Sequence, residues 1–528
     1  LEGAKKQTRA INFRSISFSR SAVSEIVLSR LLLVVAISAG CFLRIWQINA
    51  MGYNTDEAVY AGQAAAIAGV PVLKDIFPVF RAHPLLFQFL LSVVFKIQFS
   101  DLGGRLLSAA VGIGSIFLTY QLGKTLYGRI PGALAALFIA LMPYHIIVSR
   151  QVLLDGPMMF FATLTLYMLA QFGKTERGEW LYAAGSVMGL SFLAKETSII
   201  LVGAIYTFLA LASELRVRIA NLLLATLLTV LVISPFPLTL LAAGGSSTGK
   251  NYLVWQLFRR PNHDWPFYLQ SVPPSIGYLV IAAAILGLIL LWHKRSWREK
   301  LLLAWILVPV VFFQIWPVKG FQYLLPIVPP LVVLAGRLIG AMLDKASELR
   351  LPKTALRFSV PPAAGWIAVV VICLALTASS WQRIQPEISS TFLAGTGGVP
   401  GGREAGTWIK QNVPVYARIM TIGPSMANIV QFYGEHTAYG LSVSPNPLHR
   451  NPSYQPILNP DMQIRRSELQ YLVWDSFSAN RSPFFAEKLL AYVSRYNGRA
   501  VHTESITVLD SAGNPVSQPV IIVYEVHP

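Results

Sequence analysis

Between residues 26 and 380 the chain returns repeatedly to apolar stretches of about 15 to 22 residues, separated by short clusters of Lys and Arg. Few water-soluble folds absorb that pattern. A helix of roughly 20 apolar residues matches the bilayer core and has no polar face for water. Composition agrees, with 54% hydrophobic and 13% charged residues and a mean hydropathy of +0.53, against about 25% charged in soluble domains. The expected class is a polytopic α-helical membrane protein. The net charge of +18 suggests nucleic acid at first sight, but the cations fall between apolar runs, as in cytoplasmic loops facing anionic lipid, and nucleic acid is set aside as a partner. Cys41 and Cys373 both lie in apolar segments, which leaves neither a disulfide framework nor a cysteine metal site.

Orientation follows from where cations collect. Residues 1–24, with Lys5, Lys6, Arg9, Arg14 and Arg20, form a basic cytoplasmic N-terminus, and the clusters at Lys124/Arg129, Lys174/Arg177, Arg216/Arg218, 293–300 and 345–357 are expected on the same side. No small-residue cleavage site follows the first apolar run, so it reads as a retained helix. An odd number of crossings is needed between the acidic stretch after that helix and Lys124. The run 84–99, short and containing Lys96, is therefore assigned to a helix lying against the outer face. Spans are expected at 26–47, 104–123, 130–147, 157–172, 180–194, 197–212, 219–236, 275–292, 301–317, 321–341 and 360–380, about eleven helices in a module covering 25–380, with an outer loop at 48–103. The Gly-rich segment 381–402 reads as a linker. Residues 403–528 read as an extracytoplasmic α/β domain, with helices in "REAGTWIKQN" and "FFAEKLLAYVSRY" and strands in "ARIMTIG", "LQYLVWD", "SITVL" and "PVIIVYEV". The absence of an internal repeat argues against inverted-repeat transporters.

This parity gathers at one surface nearly every charge outside the cytoplasmic clusters. Asp56 and Glu57 open the helix-forming stretch "TDEAVYAGQAAAIAG", with Thr55 as a possible N-cap. They either complement the helix dipole or act as a general base and a metal or substrate ligand. Arg81 and His83 suit a lipid-headgroup anchor or a phosphate site. Arg150 and Asp155 read as an ion pair at a helix junction or as substrate contacts. Lys195 and Glu196 interrupt an apolar stretch, where each charge costs about 2.5–3.5 kcal/mol to insert, so they are expected to face a polar cavity. Lys319, followed by Gln322 and Tyr323, either snorkels or binds an anion. The aromatic loop with Arg259, Arg260, His263 and Asp264 forms an interfacial belt or a lip for sugar or isoprenoid.

The motifs "TDEAVYAGQA", "RAHPLLF", "SRQVLLDGPMMFF", "GLSFLAKETSIIL" and "KGFQYLLPIVPPL", in this order, resemble the membrane glycosyltransferases of the GT-C fold, in the superfamily of protein O-mannosyltransferases and lipid A aminoarabinose transferases. The resemblance implies inverting transfer of a sugar from a polyprenyl-phosphate donor to a lipid, glycan or protein acceptor at the outer face of the plasma (inner) membrane. It implies Asp56 as general base, with Glu57 and Asp155 positioning substrates or a divalent metal (Mg, Mn or Zn), and Glu57 and His83 as metal ligands. Arg81, Arg150, Lys195 and Lys319 are then the candidates for the donor phosphate, and Tyr60, His83, Glu196, His263, Gln322 and Tyr323 belong to the substrate site. The competing reading is a transporter or flippase of lipid-linked sugars, which would distribute its charges through the midplane and on both faces.

Overall fold

The computed structural model describes residues 20–77, 83–242, 255, 259, 261–291, 296–344, 348–350, 357–359, 361–386, 398–451, 454–509 and 513–528. Arg81, Arg260, residues 1–19 and the part of the Gly-rich segment at 387–397 lie outside them.

The first half is helical: α1 (Arg20–Ile45), α2 (Thr55–Ala68), α3 (Pro71–Ile76), α4 (Leu86–Ile97), α5 (Asp101–Tyr127), α6 (Arg129–Leu141), α7 (Pro143–Ser149), α8 (Asp155–Thr175), α9 (Gly178–Ala194), α10 (Ile200–Leu211), α11 (Ile219–Ile233) and α12 (Pro235–Ala242). It continues through α13 (Phe267–Ile276), α14 (Tyr278–Leu291), α15 (Trp297–Ile315), α16 (Val328–Leu343) and α17 (Pro362–Ile384), with 3-10 turns at Glu196–Ile199 and Phe321–Ile327. Among the described residues each of the eleven expected stretches is mostly helical. Among the described residues, five segments are long and apolar enough to cross a bilayer: Ser24–Ile45, Asp101–Tyr127, Ile219–Thr239, Phe321–Leu343 and Pro362–Ile384. Two bent pairs qualify when taken together, α6 with α7 at 61° and α13 with α14 at 91°. The helices at 157–172, 180–194, 197–212 and 301–317 are shorter or more polar.

The bends have local causes. Pro143 opens α7 and has no N–H to continue the ladder of α6, while Pro273, Pro274 and Gly277, at φ +96°, break α13 from α14. Helix α16 lies inside the bundle, with Val328, Val332, Val333, Leu334 and Ala335 fully buried, whereas α11 shows Ile219, Leu223, Leu227 and Val230 on its outside. Such a helix suits lipid. Helix α4 is amphipathic, burying Phe87, Gln88, Leu91 and Phe95 and exposing Phe89, Leu90, Val93 and Ile97, as expected for a helix lying along an interface.

The C-terminal region contains α18 (Gly402–Asn412), α19 (Pro424–Tyr433), α20 (Pro460–Arg465), α21 (Ser476–Arg481) and α22 (Pro483–Arg495). A short antiparallel ribbon, β1 (Glu348–Arg350) with β2 (Arg357–Ser359), precedes it. Its sheet is built from β3 (Arg418–Thr421), β4 (Ala438–Gly440), β5 (Leu469–Asp475), β6 (Arg499–Leu509) and β7 (Pro515–Glu525), in the order β4-β3-β5-β7-β6. The first three are parallel, and β7 runs antiparallel to both β5 and β6.

This region packs against the helical module. One apolar cluster joins Tyr53, Ala58, Ala61, Phe87 and Leu91 of the loop 48–103 to Ala405, Ile409, Met426, Val430 and Ile521. Polar ties follow it: Arg403 pairs with Asp101 at 3.1 Å and donates to Met51 O at 2.6 Å, while Tyr433 Oη donates to Asp101 Oδ2 at 2.5 Å and accepts from Tyr53 N–H at 2.7 Å. The described end of the Gly-rich segment is packed rather than solvated. Gly398 has φ +104°, and a Cβ there would come within 2.2 Å of Gly52 O. Only glycine fits.

Candidate functional site

The site is organised by the start of α2. Asn54, rather than Thr55, is the N-cap: its Oδ1 accepts from the N–H groups of Asp56 and Glu57 at 2.9 and 3.0 Å, while Glu57 Oε2 accepts from Asn54 N–H at 3.0 Å. This capping box fixes the two neighbouring acids in different directions. Glu57 turns inward, fully buried. Arg105 Nε and Nη2 donate to its two oxygens at 2.9 and 2.8 Å, and Val152 N–H adds a bond at 3.0 Å. Expected as a catalytic or metal-binding acid, Glu57 is instead the buried anchor of the loop, because Arg105 and backbone donors occupy both oxygens.

Asp56 points the other way and is half-buried. Its carboxylate accepts no hydrogen bond and forms no ion pair among the described residues. Burial raises its pKa above the usual carboxylate value; Lys195 opposes this, and Asp155 reinforces it. The neighbouring acids are all matched by cations. Lys195 Nζ donates to both oxygens of Asp155 at 2.8 and 2.7 Å and sits 5.1 Å from the ring centroid of Tyr323. His83 Nδ1 lies 3.0 Å from Glu196 Oε1, and its ring meets Tyr60 edge-on at 6.1 Å. Burial lowers the His83 pKa, but the Glu196 carboxylate outweighs it and the net shift is upward.

The architecture explains the convergence. Asp155 starts α8, Lys195 ends α9, Glu196 opens the following 3-10 turn, and Tyr323 sits on the other 3-10 turn, with half-buried Gln322 beside it. At the head of that turn Asn262 clamps the Lys319 backbone with bonds of 2.8 and 2.9 Å, leaving Nζ over Trp265 at 5.6 Å and in no ion pair among the described residues. His263 stacks on Phe267 at 3.9 Å, its pKa lowered by burial and then by Arg481 and Lys319.

Arg150 departs from expectation. It does not pair with Asp155; its guanidinium donates to the carbonyls of Leu43, Arg44 and Trp46 at 2.8, 3.0 and 2.8 Å and so ties down the end of α1. The expected metal ligands Glu57 and His83 each engage another side chain. One is enclosed by Arg105 and the other faces Glu196, and no group of three or more His, Cys, Asp or Glu side chains suited to a metal occurs among the described residues. Arg105 and Arg481 are the residues that sequence reasoning missed. Arg105 interrupts the apolar run at its start, which was the available signal.

Residues 82–238 match the family described as "Dolichyl-phosphate-mannose-protein mannosyltransferase". The chain is 33% identical over 123 residues to the mannosyltransferase-like protein YycA of Bacillus subtilis, a stretch covering 23% of this chain and 18% of the relative, so the match spans less than a fifth of that relative's length. In fold it is similar to ArnT from Cupriavidus metallidurans, with a TM-score of 0.65 and 14% identity over 96% of this chain and 98% of that one. The same enzyme bound to undecaprenyl phosphate gives a TM-score of 0.64. It is also similar to the oligosaccharyltransferase AglB of Archaeoglobus fulgidus, in complex with an inhibitory peptide and a dolichol-phosphate, with a TM-score of 0.56 and 13% identity over 94% of this chain and 74% of that one. The chain is a membrane protein with the GT-C fold, and the proteins it resembles are glycosyltransferases.

Proposed function

We propose that this protein transfers a sugar from a polyprenyl-phosphate donor to an acceptor, with inversion, at the extracytoplasmic rim of the plasma membrane. About eleven crossings would place the cleft on that side, since the basic clusters then face the cytoplasm. The observation that carries the reading is Asp56. Of the four neighbouring acids, Glu57, Asp155 and Glu196 each hold a cation, and Asp56 alone holds none among the described residues. A half-buried carboxylate with a raised pKa and an unused lone pair is suited to accept a proton.

In the proposed reaction an acceptor hydroxyl attacks the anomeric carbon from the face opposite the phosphate. Its oxygen bonds to that carbon, Asp56 takes the proton, and the carbon–oxygen bond to the phosphate breaks with its electron pair leaving on the phosphate. In this reading Lys319, which lies close enough to His263 to lower its pKa, holds that leaving group, and in a poorly hydrated cleft a fixed cation acts more strongly than in water. Asp155 and Lys195 neutralise one another and position the cleft wall. The ArnT and AglB structures with bound polyprenyl phosphates support a donor of this class. No step is assigned to a metal. The test is transfer of radiolabelled sugar from a polyprenyl-phosphate donor by purified protein in nanodiscs: Asp56→Asn should lower turnover by at least about 100-fold. Undiminished turnover removes Asp56 from the mechanism.

A further inference from the structure

A cavity of about 310 Å³ lies where the end of α3 meets α19, β4 and the segment bearing Tyr454 and Gln455. Among the described residues that line it, Asp75 carries the only formal charge. A phosphate or carboxylate placed there would face that acid with no cation to offset it. A hydrocarbon chain suits the cavity no better. More than half of the lining residues are polar, and covering them with apolar groups strands their hydrogen-bonding atoms, whereas sites for oily ligands are lined mainly by apolar side chains.

Three of the polar side chains are open to an occupant. Asp75 lies on α3, Thr437 immediately precedes β4, and Gln455 lies in the segment that follows it; all three are exposed, and none has a side-chain partner among the described residues. They offer a carboxylate that only accepts, with a hydroxyl and an amide that both donate and accept. The complement has to donate and accept at several closely spaced points while carrying no negative charge. A sugar ring meets this demand, because each hydroxyl donates one hydrogen bond and accepts two, and neighbouring hydroxyls can donate to the two oxygens of one carboxylate. The half-exposed Tyr439 and Tyr454 are also among the lining residues, and aromatic carbon packs against the C–H face of such a ring. The volume falls at the lower end of the range for small-molecule sites, about 300–1,000 Å³, which fits an occupant of sugar-unit size. The cavity also adjoins the proposed chemistry. Asn428 lines it, and Asn428 Nδ2 donates at 2.9 Å to the Oγ1 of Thr55, the residue immediately before Asp56.

We propose that this cavity is a subsite for an uncharged sugar unit of a glycan acceptor, with Asp75 and Gln455 as its hydrogen-bonding contacts. The acceptor role rests on the transferase reading above; the binding of a neutral sugar does not. The test uses the full chain in nanodiscs, with maltose, cellobiose and N,N′-diacetylchitobiose as probes titrated by saturation-transfer NMR. At least one should bind, and glucose 6-phosphate should not compete with it. Asp75 and Gln455 are exposed side chains that hold no other residue in place, so the double variant Asp75→Ala/Gln455→Ala keeps the fold and should weaken binding at least about tenfold for the hydrogen bonds lost. Release of sugar from the polyprenyl-phosphate donor to water, measured in parallel, should be unchanged in that variant. Failure of all three disaccharides to bind, competition by glucose 6-phosphate, or a double variant that falls short of the expected loss overturns the proposal. Donor hydrolysis without disaccharide binding removes the subsite alone, and binding without hydrolysis removes the transferase reading alone.

Discussion

Replacing Arg105 by Met tests whether the buried pair beneath the cleft holds Asp56 in place. Arg105 donates five hydrogen bonds: two to Glu57, and one each to the carbonyls of Ile48, Met51 and Gly52. Both side chains are fully buried. Removing the guanidinium leaves a carboxylate without its counter-ion and three carbonyls short of a donor, and breaking a buried pair from one side costs about 3–5 kcal/mol. That is roughly two to three and a half powers of ten in the equilibrium. Adding Glu57→Gln to Arg105→Met removes the stranded charge while keeping a carbonyl oxygen that can still accept from one of the N–H groups of Asn54 and Val152, so the double variant should recover part of the loss. The assay is the denaturation midpoint in detergent, with amide exchange across 48–68 read in the same samples. Exchange should rise there first, since the carbonyls that Arg105 holds lead directly into α2. A single variant as stable as the parent, or a double variant no better than Arg105→Met, refutes the idea that Glu57 is an anchor.

Because burial raises the Asp56 pKa, its ionised form is less favourable in the folded protein, and folded stability falls as pH rises from the ordinary carboxylate value through the raised one. Asp56→Asn should therefore raise the denaturation midpoint at neutral pH while abolishing transfer; a lower midpoint contradicts this. The His83 pKa is also raised, so the stability it contributes is fully present below the ordinary histidine value and is lost as pH climbs through the folded one. His83→Gln should remove that alkaline loss, as seen in midpoints measured across pH. Asp475 is buried with one oxygen lacking a partner among the described residues, and its pKa is pushed up to about 6 from 3.8. Its ionisation therefore costs about 3 kcal/mol, and Asp475→Asn should stabilise the protein above that pH, an effect absent near pH 3.

The helices were legible because lipid-facing segments carry their signal in every residue, and α1, α5, α11 and α17 fall close to the apolar runs that announce them. The strands of the C-terminal region were legible for a related reason: "LQYLVWD" is buried on both faces and reads as one apolar run. What the sequence hid was the joint between the two halves. The buried residues of α2 are mostly alanines, with Gly62 against the Phe77 ring, small residues that mark a close approach only when the partner is known, and Arg403 and Tyr433 reach Asp101 across more than 300 positions.

The site divides in the same way. Its membership at one end of the bundle followed from parity and charge, but the pairing within it did not, since each acid had several cations within plausible reach. Asp155 could pair with Arg150 five positions earlier or with Lys195 forty later, and sequence proximity favours the first. The structure selects the second because Arg150 is occupied by the open carbonyls at the end of α1. Once Arg150 goes to α1 and Arg105 to Glu57, Lys195 satisfies Asp155, His83 satisfies Glu196, and the cations in ion-pair contact with these acids are exhausted among the described residues. Asp56 is thus left over by elimination rather than by its own surroundings. The same consideration separates it from the adjacent Glu57, which the sequence alone treats as its equal: one carboxylate holds the loop together through Arg105, and the other holds no cation among the described residues.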